Sequence, residues 1–366
     1  MKNAENTNHE SCEEEVKPLP SLPEPILVEI LSKLPVKSLL RFKCVSKSWR
    51  SLISDSPFMK KHLNQSLALT KSSFETQRLL IATIRPPYRL YTASFRSSMF
   101  EIDVEKIKFL FPNNPVHPRC SVVGSGNGLI CMEVDFLSKP IEDFWFIYIF
   151  NPSTREFMQI PDREFPRNFG FGYDHCSDDC KLVKITDNSV YVYSVSVGSW
   201  RKVQDFPEYN DGLIASEPMV ELNGVIHWIS LLPKFEIVAF SLADEKLWMI
   251  AMPPCYTEFE AFRFTVFQGC LCVMPQGDHA YWIMKEYGVE ESWTRIAGDE
   301  VPKSDVFAQL AVLNYGETML LVDGNKSALY NTREDACSEN IVIEGEEDLK
   351  LTIYVDSFTS PVIEHK

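Results

Sequence analysis

The residues best suited to chemistry in this 366-residue chain form one run, Asp174-His175-Cys176-Ser177-Asp178-Asp179-Cys180. Two cysteines four apart, with a histidine and three carboxylates among them, could supply two or three ligands to zinc. A closed site needs a second half at matching spacing, and the chain offers none. The run reads more simply as a solvated turn between Tyr173 and a strand starting near Lys181, so no metal is expected. His227, beside Trp228 in an apolar strand, reads as an interior or channel side chain and not as a base. Cys270 and Cys272 flank Leu271 and share one strand face, which suits packing. Gly124-Ser125-Gly126-Asn127-Gly128 has the glycine density of a phosphate loop. No Gly-Lys-Ser/Thr closes it, however, and the apolar strand 129–132 follows where a helix would be needed. No nucleophile elbow and no coherent acid–base pair can be assembled. The expectation is a non-enzyme without catalytic residues or a cofactor.

The elements that carry the remaining pattern must therefore position something other than a reaction centre. Near the N-terminus Ile26, Ile30 and Leu34 recur every four residues, with Leu27 and Leu31 beside them. That is the period of an amphipathic helix. Pro25 is tolerated in its first turn, and Pro35 is expected to stop it. A second short helix is predicted over Lys37 to Cys44. A third is predicted from Ser46, a good N-cap residue, through Trp49, Leu52 and Ile53. A unit of about 45 residues has little core of its own, which favours burial against a partner.

Leu22-Pro23, Ile26, Ile30-Leu31, Leu34-Pro35, Lys37-Ser38-Leu39, Arg41-Phe42, Val45-Ser46-Lys47 and Trp49-Arg50 resemble the F-box. The family usually has Asp or Glu where this chain has Pro25, although Glu24 is adjacent. The resemblance implies docking on the small linker subunit of a cullin-based (SCF-type) ubiquitin ligase. The contact residues it implies are Leu22, Pro23, Ile26, Ile30, Leu34, Pro35, Leu39, Val45 and Trp49.

From about Leu79 onward, short apolar strands alternate with turn-rich segments. Phe150, Tyr193, Phe240, Ile283 and Tyr330 mark a recurring strand end at steps of 43, 47, 43 and 47 residues. Phe157, Trp200, Trp248 and Trp293 follow the first four marks. Gly128, Gly224 and Gly269 set a second register, with 181–185 and 319–322 filling the missing places. A period of about 45 residues with several strands per repeat is the pattern of propeller blades. Trp200, Trp248 and Trp293 are then expected at equivalent positions between neighbouring sheets. Two stacked sheets with even strand spacing are the competing arrangement.

This half resembles the F-box-associated domain that follows F-boxes in many plant proteins. The shared motifs are Gly124-Ser125-Gly126-Asn127-Gly128-Leu129, Phe150-Asn151-Pro152-Ser153-Thr154-Arg155 and Phe169-Gly170-Phe171-Gly172-Tyr173-Asp174. Asn223-Gly224 with His227-Trp228, and Met284-Lys285-Glu286-Tyr287-Gly288 with Ser292-Trp293, complete the set. The expected fold is multidomain, α plus all-β: a small helical F-box followed by a β-propeller-like, kelch-like domain. The expected division is a disordered acidic segment 1–17, an F-box 18–64, a linker 65–78 and an F-box-associated domain 79–360. The two halves are expected to separate into a docking arm and a target reader; the alternative is an F-box buried against the propeller as part of one core.

Net charge is −15, unevenly spread. Residues 18–64 carry eight basic and three acidic side chains, and residues 1–17 two and five, leaving −17 on the rest. So acidic a body repels phosphate backbones, and nucleic acid is not an expected partner. The N-terminus lacks the apolar core of a signal peptide, and the longest apolar run, 144–150, has strand length, so no membrane is expected either. Most of the cysteines sit in apolar runs, which fits a reducing compartment, cytoplasm or nucleus. The expected function is substrate recognition for the ligase, bringing an unidentified target protein to the cullin complex. The alternative is a non-degradative binding module that uses F-box pairing for stability or localisation. Loops 161–168, 255–264 and 298–307 are candidate target contacts and carry no recognisable code.

Overall fold

The computed structural model describes residues 22–70, 77–83, 89–95, 102–107, 119–136, 144–161, 168–186, 189–205, 219–230, 235–254, 262–267, 269–275, 280–297, 309–313, 318–323, 326–331, 336–338 and 349–362. The segment 1–17, expected to be disordered, lies outside them. Four helices come first: α1 (Glu24–Leu31), α2 (Val36–Phe42), α3 (Lys47–Ile53) and α4 (Ser56–Thr70). Pro25 sits in the first turn of α1, where no intrahelical N–H is lost. The Ser46 hydroxyl accepts the Trp49 N–H at 3.1 Å and caps α3.

Two expectations need correction here. Pro35 does not stop α1, which already ends at Leu31 and tightens through Lys33 N–H to Ile30 and Leu34 N–H to Leu31. Pro35 instead leads into α2, its ring fixing the φ of −59° just before the first turn. The linker expected from residue 65 is helical as far as Thr70. Phe58, His62 and Leu63 are buried on one face of α4, so packing carries the helix through its polar second half. Residues 71–76 lie outside the described residues. Among the described residues no helix is long and apolar enough to cross a membrane.

Among the described residues the strands form six four-stranded antiparallel sheets. The first contains β1 (Gln77–Thr83), β2 (Leu90–Phe95) and β3 (Ile102–Ile107). The second is β4 (Arg119–Gly126), β5 (Leu129–Phe136), β6 (Phe144–Phe150) and β7 (Phe157–Ile160). The third is β8 (Phe169–Asp174), β9 (Asp179–Ile185), β10 (Ser189–Ser194) and β11 (Ser199–Asp205). The fourth is β12 (Val220–Leu222), β13 (Val225–Ser230), β14 (Glu236–Ser241) and β15 (Leu247–Ala251). The fifth is β16 (Phe262–Phe267), β17 (Cys270–Pro275), β18 (Ala280–Met284) and β19 (Trp293–Ala297). The sixth is β20 (Gln309–Leu313), β21 (Thr318–Asp323), β22 (Lys326–Asn331) and β23 (Ala336–Ser338).

The last strand, β24 (Leu349–Val355), completes the first sheet by pairing with β1 from Gln77↔Val355 to Thr83↔Leu349. The inner strands touch in the cyclic order β4, β8, β12, β16, β20, β24 and back to β4. The ring is therefore a β-propeller, closed by pairing its last strand, β24, with β1. Closure pairs the edge that β1 would otherwise leave open, while each sheet keeps the short outer edge usual in a propeller.

The two sequence registers fall where a propeller requires them. All five marks lie on the third strands of consecutive sheets, β6, β10, β14, β18 and β22. Gly128, Gly224 and Gly269 end the first hairpin of their sheets, and the segments 181–185 and 319–322 are second strands. Faces are a different matter. Phe150, Tyr193 and Phe240 each pack towards the preceding sheet. In the fifth sheet that place belongs to Met284, while Ile283 faces the other way with Phe267 and Tyr281. The mark at Ile283 is thus one residue short of the equivalent place, and the 3-10 turn at Glu290–Ser292 then lengthens the step from β18 to its partner Trp293. A slip of one turns a strand side chain to the opposite face.

The tryptophans follow the same logic. Trp200 pairs with Tyr193 and donates its indole N–H to the Pro161 carbonyl of the preceding sheet at 3.2 Å. Trp293 does the same with Met284 and the Ala251 carbonyl at 2.9 Å. Trp248 pairs with Ala239 and packs towards the following sheet, and Leu247, opposite Phe240, takes the place facing the preceding sheet. The expected equivalence holds for two of the three.

Candidate docking surface

The helical unit sorts its apolar residues into two sets. Leu31, Val36, Leu39, Ile53 and Phe58 form a buried core, with Phe358 contributed from beyond β24. Leu22, Ile26, Ile30 and Val45 remain 57%, 48%, 47% and 62% exposed. Pro23 and Pro35 are exposed beside them, and Leu34 and Trp49 are half-buried. Trp49 meets Phe42 edge-on, with ring centroids 5.5 Å apart. Leu39 is fully buried. In the free chain Leu39 is thus part of the helical core, unlike the exposed candidates.

The single wide apolar face expected on α1 is thus divided. Leu31 turns inward, while Ile26 and Ile30, four apart, share the outward side. Glu29, the acidic group between them, is occupied by Lys61 at 2.6 Å and Lys33 at 3.0 Å. Those two ammonium groups hold its carboxyl below the usual range. What remains outward on α1 is aliphatic, with Lys33 and Lys61 beside it.

The other candidate residues are brought to separate duties. Asp174 is buried and accepts the Cys176 N–H at 2.9 Å, the Ser177 hydroxyl at 2.5 Å and the Lys181 ammonium at 2.8 Å. Asp178 pairs with Lys60 of α4 and accepts the Tyr173 hydroxyl. The His175 ring stands edge-on to Tyr173 at 4.7 Å. Cys180 is buried with its sulfur 3.6 Å from the Gly126 carbonyl, and burial pushes its thiol up. Among the described residues no cluster of three or more His, Cys, Asp or Glu is disposed to hold a metal.

His227 is fully buried, with Nε2 2.7 Å from the Tyr287 hydroxyl, so it ties the fourth sheet to a turn of the fifth. Burial drives its pKa down to about 4, against the opposing pull of backbone groups at Val220 and Val225. Cys270 and Cys272 share one face and Leu271 takes the other. Gly124 and Gly126 lie in β4, where a Cβ on either would press on the backbone of Phe171, Gly172 and Tyr173 in β8. Close approach of two inner strands, not phosphate, is what those glycines permit.

Sequence reasoning missed the C-terminal residue of the helical core. Phe358 is 4% exposed, yet nothing local distinguishes Ser357-Phe358-Thr359 from an ordinary tail. Asn151 was legible only as turn chemistry. Its side chain does accept the Ser153 N–H at 2.8 Å, but its amide also grips that tail.

Comparison with known proteins agrees with this geometry. Residues 78–312, more than half of the chain, match the F-box associated beta propeller domain, and residues 19–61 match the F-box domain. An F-box/kelch-repeat protein of Arabidopsis thaliana is 28% identical over 345 residues, spanning 85% of this chain and 88% of the relative. The F-box protein CPR1 of Arabidopsis thaliana is 29% identical over 327 residues, with 78% and 74% covered. Among solved structures, TolB from Acinetobacter baumannii aligns with a TM-score of 0.51 at 12% identity, covering 82% of this chain and 73% of TolB, a likeness of fold alone. A helical unit that matches the F-box, followed by a closed ring of sheets that matches the associated propeller, places this chain in the F-box associated beta propeller domain family.

Proposed function

We propose that this chain is the target-recognition subunit of a cullin-based ubiquitin ligase. Its F-box, residues 18–64 with α4 extending the unit to Thr70, docks on the linker subunit. Its propeller, residues 79–360, holds a target protein. The observation that carries the reading is the exposure of Leu22, Ile26, Ile30 and Val45 on a unit that buries Leu31, Val36, Leu39 and Ile53. Exposed large aliphatics on so small a unit are what a docking site offers a partner. Its basic surroundings favour an acidic partner surface.

The chain's contribution to ubiquitin transfer is then proximity, holding a target lysine near a loaded enzyme, which needs no reactive group here. Lys60 of α4 reaches Asp178 in the first hairpin of the third sheet, so the F-box sits at the hairpin end of the ring. Antiparallel alternation sends the connections between sheets to the other end, and there we put the target. The candidate loops 161–168, 255–264 and 298–307 are such connections and lie largely outside the described residues. Work in the cytoplasm or nucleus suits a chain with no disulfide among its described cysteines.

The test is a double substitution, Ile26→Ala with Ile30→Ala, in the full-length protein. Each aliphatic buried on binding is worth about 1.5–3 kcal/mol, so linker affinity should fall at least tenfold. Both residues are half-exposed in the free chain, so the melting temperature should hold. Undiminished linker binding by the folded variant overturns the docking assignment. Target half-life separates ligase adaptor from non-degradative module: it should lengthen when the chain is removed and stay constant if pairing serves only stability.

A further inference from the structure

Beyond β24 the chain runs beneath the helical unit and is held from two sides. The Phe358 ring lies in the helical core, edge-on to His62 at 5.3 Å, with the Lys43 ammonium 5.4 Å from its centroid. The residues around it are fastened to the propeller. Asn151, itself fully buried, donates its amide to the Ser357 carbonyl at 3.1 Å and the Thr359 carbonyl at 2.7 Å. The Thr359 hydroxyl donates to the Asn127 carbonyl at 3.2 Å. Asp356 accepts from Arg78 of β1 at 2.7 Å and from the Ser153 hydroxyl at 2.8 Å.

The remaining contacts across the seam are weaker. Lys37 meets Glu105 at 3.5 Å and Lys60 meets Asp178, all four side chains being about half exposed or more. Exposed pairs of this kind hold little. A cavity of about 370 Å³ opens between α2 and the first two sheets. Its charges are already matched, Arg78 to Asp356 and Arg155 to Glu105, so it is a seam and not a ligand site.

We propose that Phe358 is a positioning residue, the pin by which the C-terminal segment fixes the F-box in one orientation on the propeller. The segment that closes the ring thereby also sets where the docking strip points. On the adaptor reading, this fixes the distance between a bound target and the ligase core. The inference rests on that reading for its consequence only, since the seam exists without any partner.

Carbodiimide cross-linking of the full-length chain tests it, because the reagent joins an amine and a carboxylate that already touch. Mass spectrometry of the native chain should find Lys60 linked to Asp178 and Lys37 linked to Glu105. Lys202 and Asp205, paired within β11, supply a link that does not depend on the seam. In Phe358→Ala both seam links should fall severalfold while the β11 link persists, and Phe358→Leu should restore much of the yield. Seam links at native yield in Phe358→Ala overturn the proposal. If that variant loses the β11 link as well, the series Phe358→Leu and Phe358→Val decides. Yields falling with side-chain size support the pin, and equal yields reject it. Linker affinity is not read in any of these measurements, so failure here and failure of the Ile26/Ile30 test remain distinguishable.

Discussion

Lys181 carries a charge into the seam between the third and fourth sheets, where it is only 7% exposed. Its ammonium meets Asp174 at 2.8 Å, Glu245 at 3.4 Å and the Leu242 carbonyl at 2.6 Å, which together offset the desolvation. Burial pushes the Asp174 carboxyl up, but Lys181, Ser177 and the Cys176 N–H outweigh it and bring the pKa to about 2 from an ordinary 3.8. A carboxyl depressed on folding stabilises the fold above its ordinary pKa, and that stability is lost as pH falls through the folded value. Asp174→Asn should therefore destabilise the propeller by about 3 kcal/mol at neutral pH. The gap to the native chain should narrow between pH 3.8 and about pH 2, as read by urea unfolding across a pH series. A second expectation separates the tryptophans. Trp293→Ala should cost about 3–5 kcal/mol, because the ring is buried and its N–H is satisfied. Trp248, half-buried on the other face, should cost clearly less; equal shifts in melting temperature would contradict the face assignment.

At the scale of elements, the repeated hairpins are the most legible feature of the chain. Asn127-Gly128 and Asn223-Gly224 hold φ of 53° and 81°, and of 53° and 78°, the two-residue turn that matches strand twist. Their spacing alone points to blades, because turn chemistry is local. Their long-range duties leave no such mark. A Cβ on Gly128 would collide with the Ser357 side chain and come within 2.9 Å of the Val355 carbonyl, whereas one on Gly269 meets nothing within 4 Å. Gly269→Ala should cost only the left-handed backbone term, about 1–2 kcal/mol. Gly128→Ala should cost more and loosen the helical unit, since Ser357 must move and Phe358 with it. Thermal melts with hydrogen exchange over residues 24–70 check both, and equal losses would show that the Ser357 contact is immaterial.

For the whole molecule, the expectation of two freely separable halves meets a shared core residue. A chain ending at Val355 keeps every strand but loses Phe358. Removing a buried aromatic costs about 3–5 kcal/mol, a large share of what so small a helical unit can hold. Its sheets should melt cooperatively while residues 24–70 exchange rapidly. A chain ending at Asp348 loses β24, so β1 is left as an open edge and the ring cannot close. That chain should be insoluble. Native exchange protection in the Val355 truncation would restore the modular picture.

The sequence by itself determined what depends on neighbours a few residues apart. The helical period of 26–34, the Ser46 cap, the 45-residue repeat, the Asn-Gly turns and the two family motifs are all of that kind. Tertiary structure decided which apolar side is covered and by what. Ile26 and Leu39 look alike in the motif, yet one is half-exposed and the other fully buried, because α3 and α4 cover only the inner side of the unit. Ile283 and Trp248 fit the repeat, yet each stands one pleat step from the equivalent position and so turns to the other face. Phe358 has no local signature at all. Its place in the helical core exists only because ring closure delivers the end of the chain to its beginning, a contact of long sequence separation that local periodicity cannot encode.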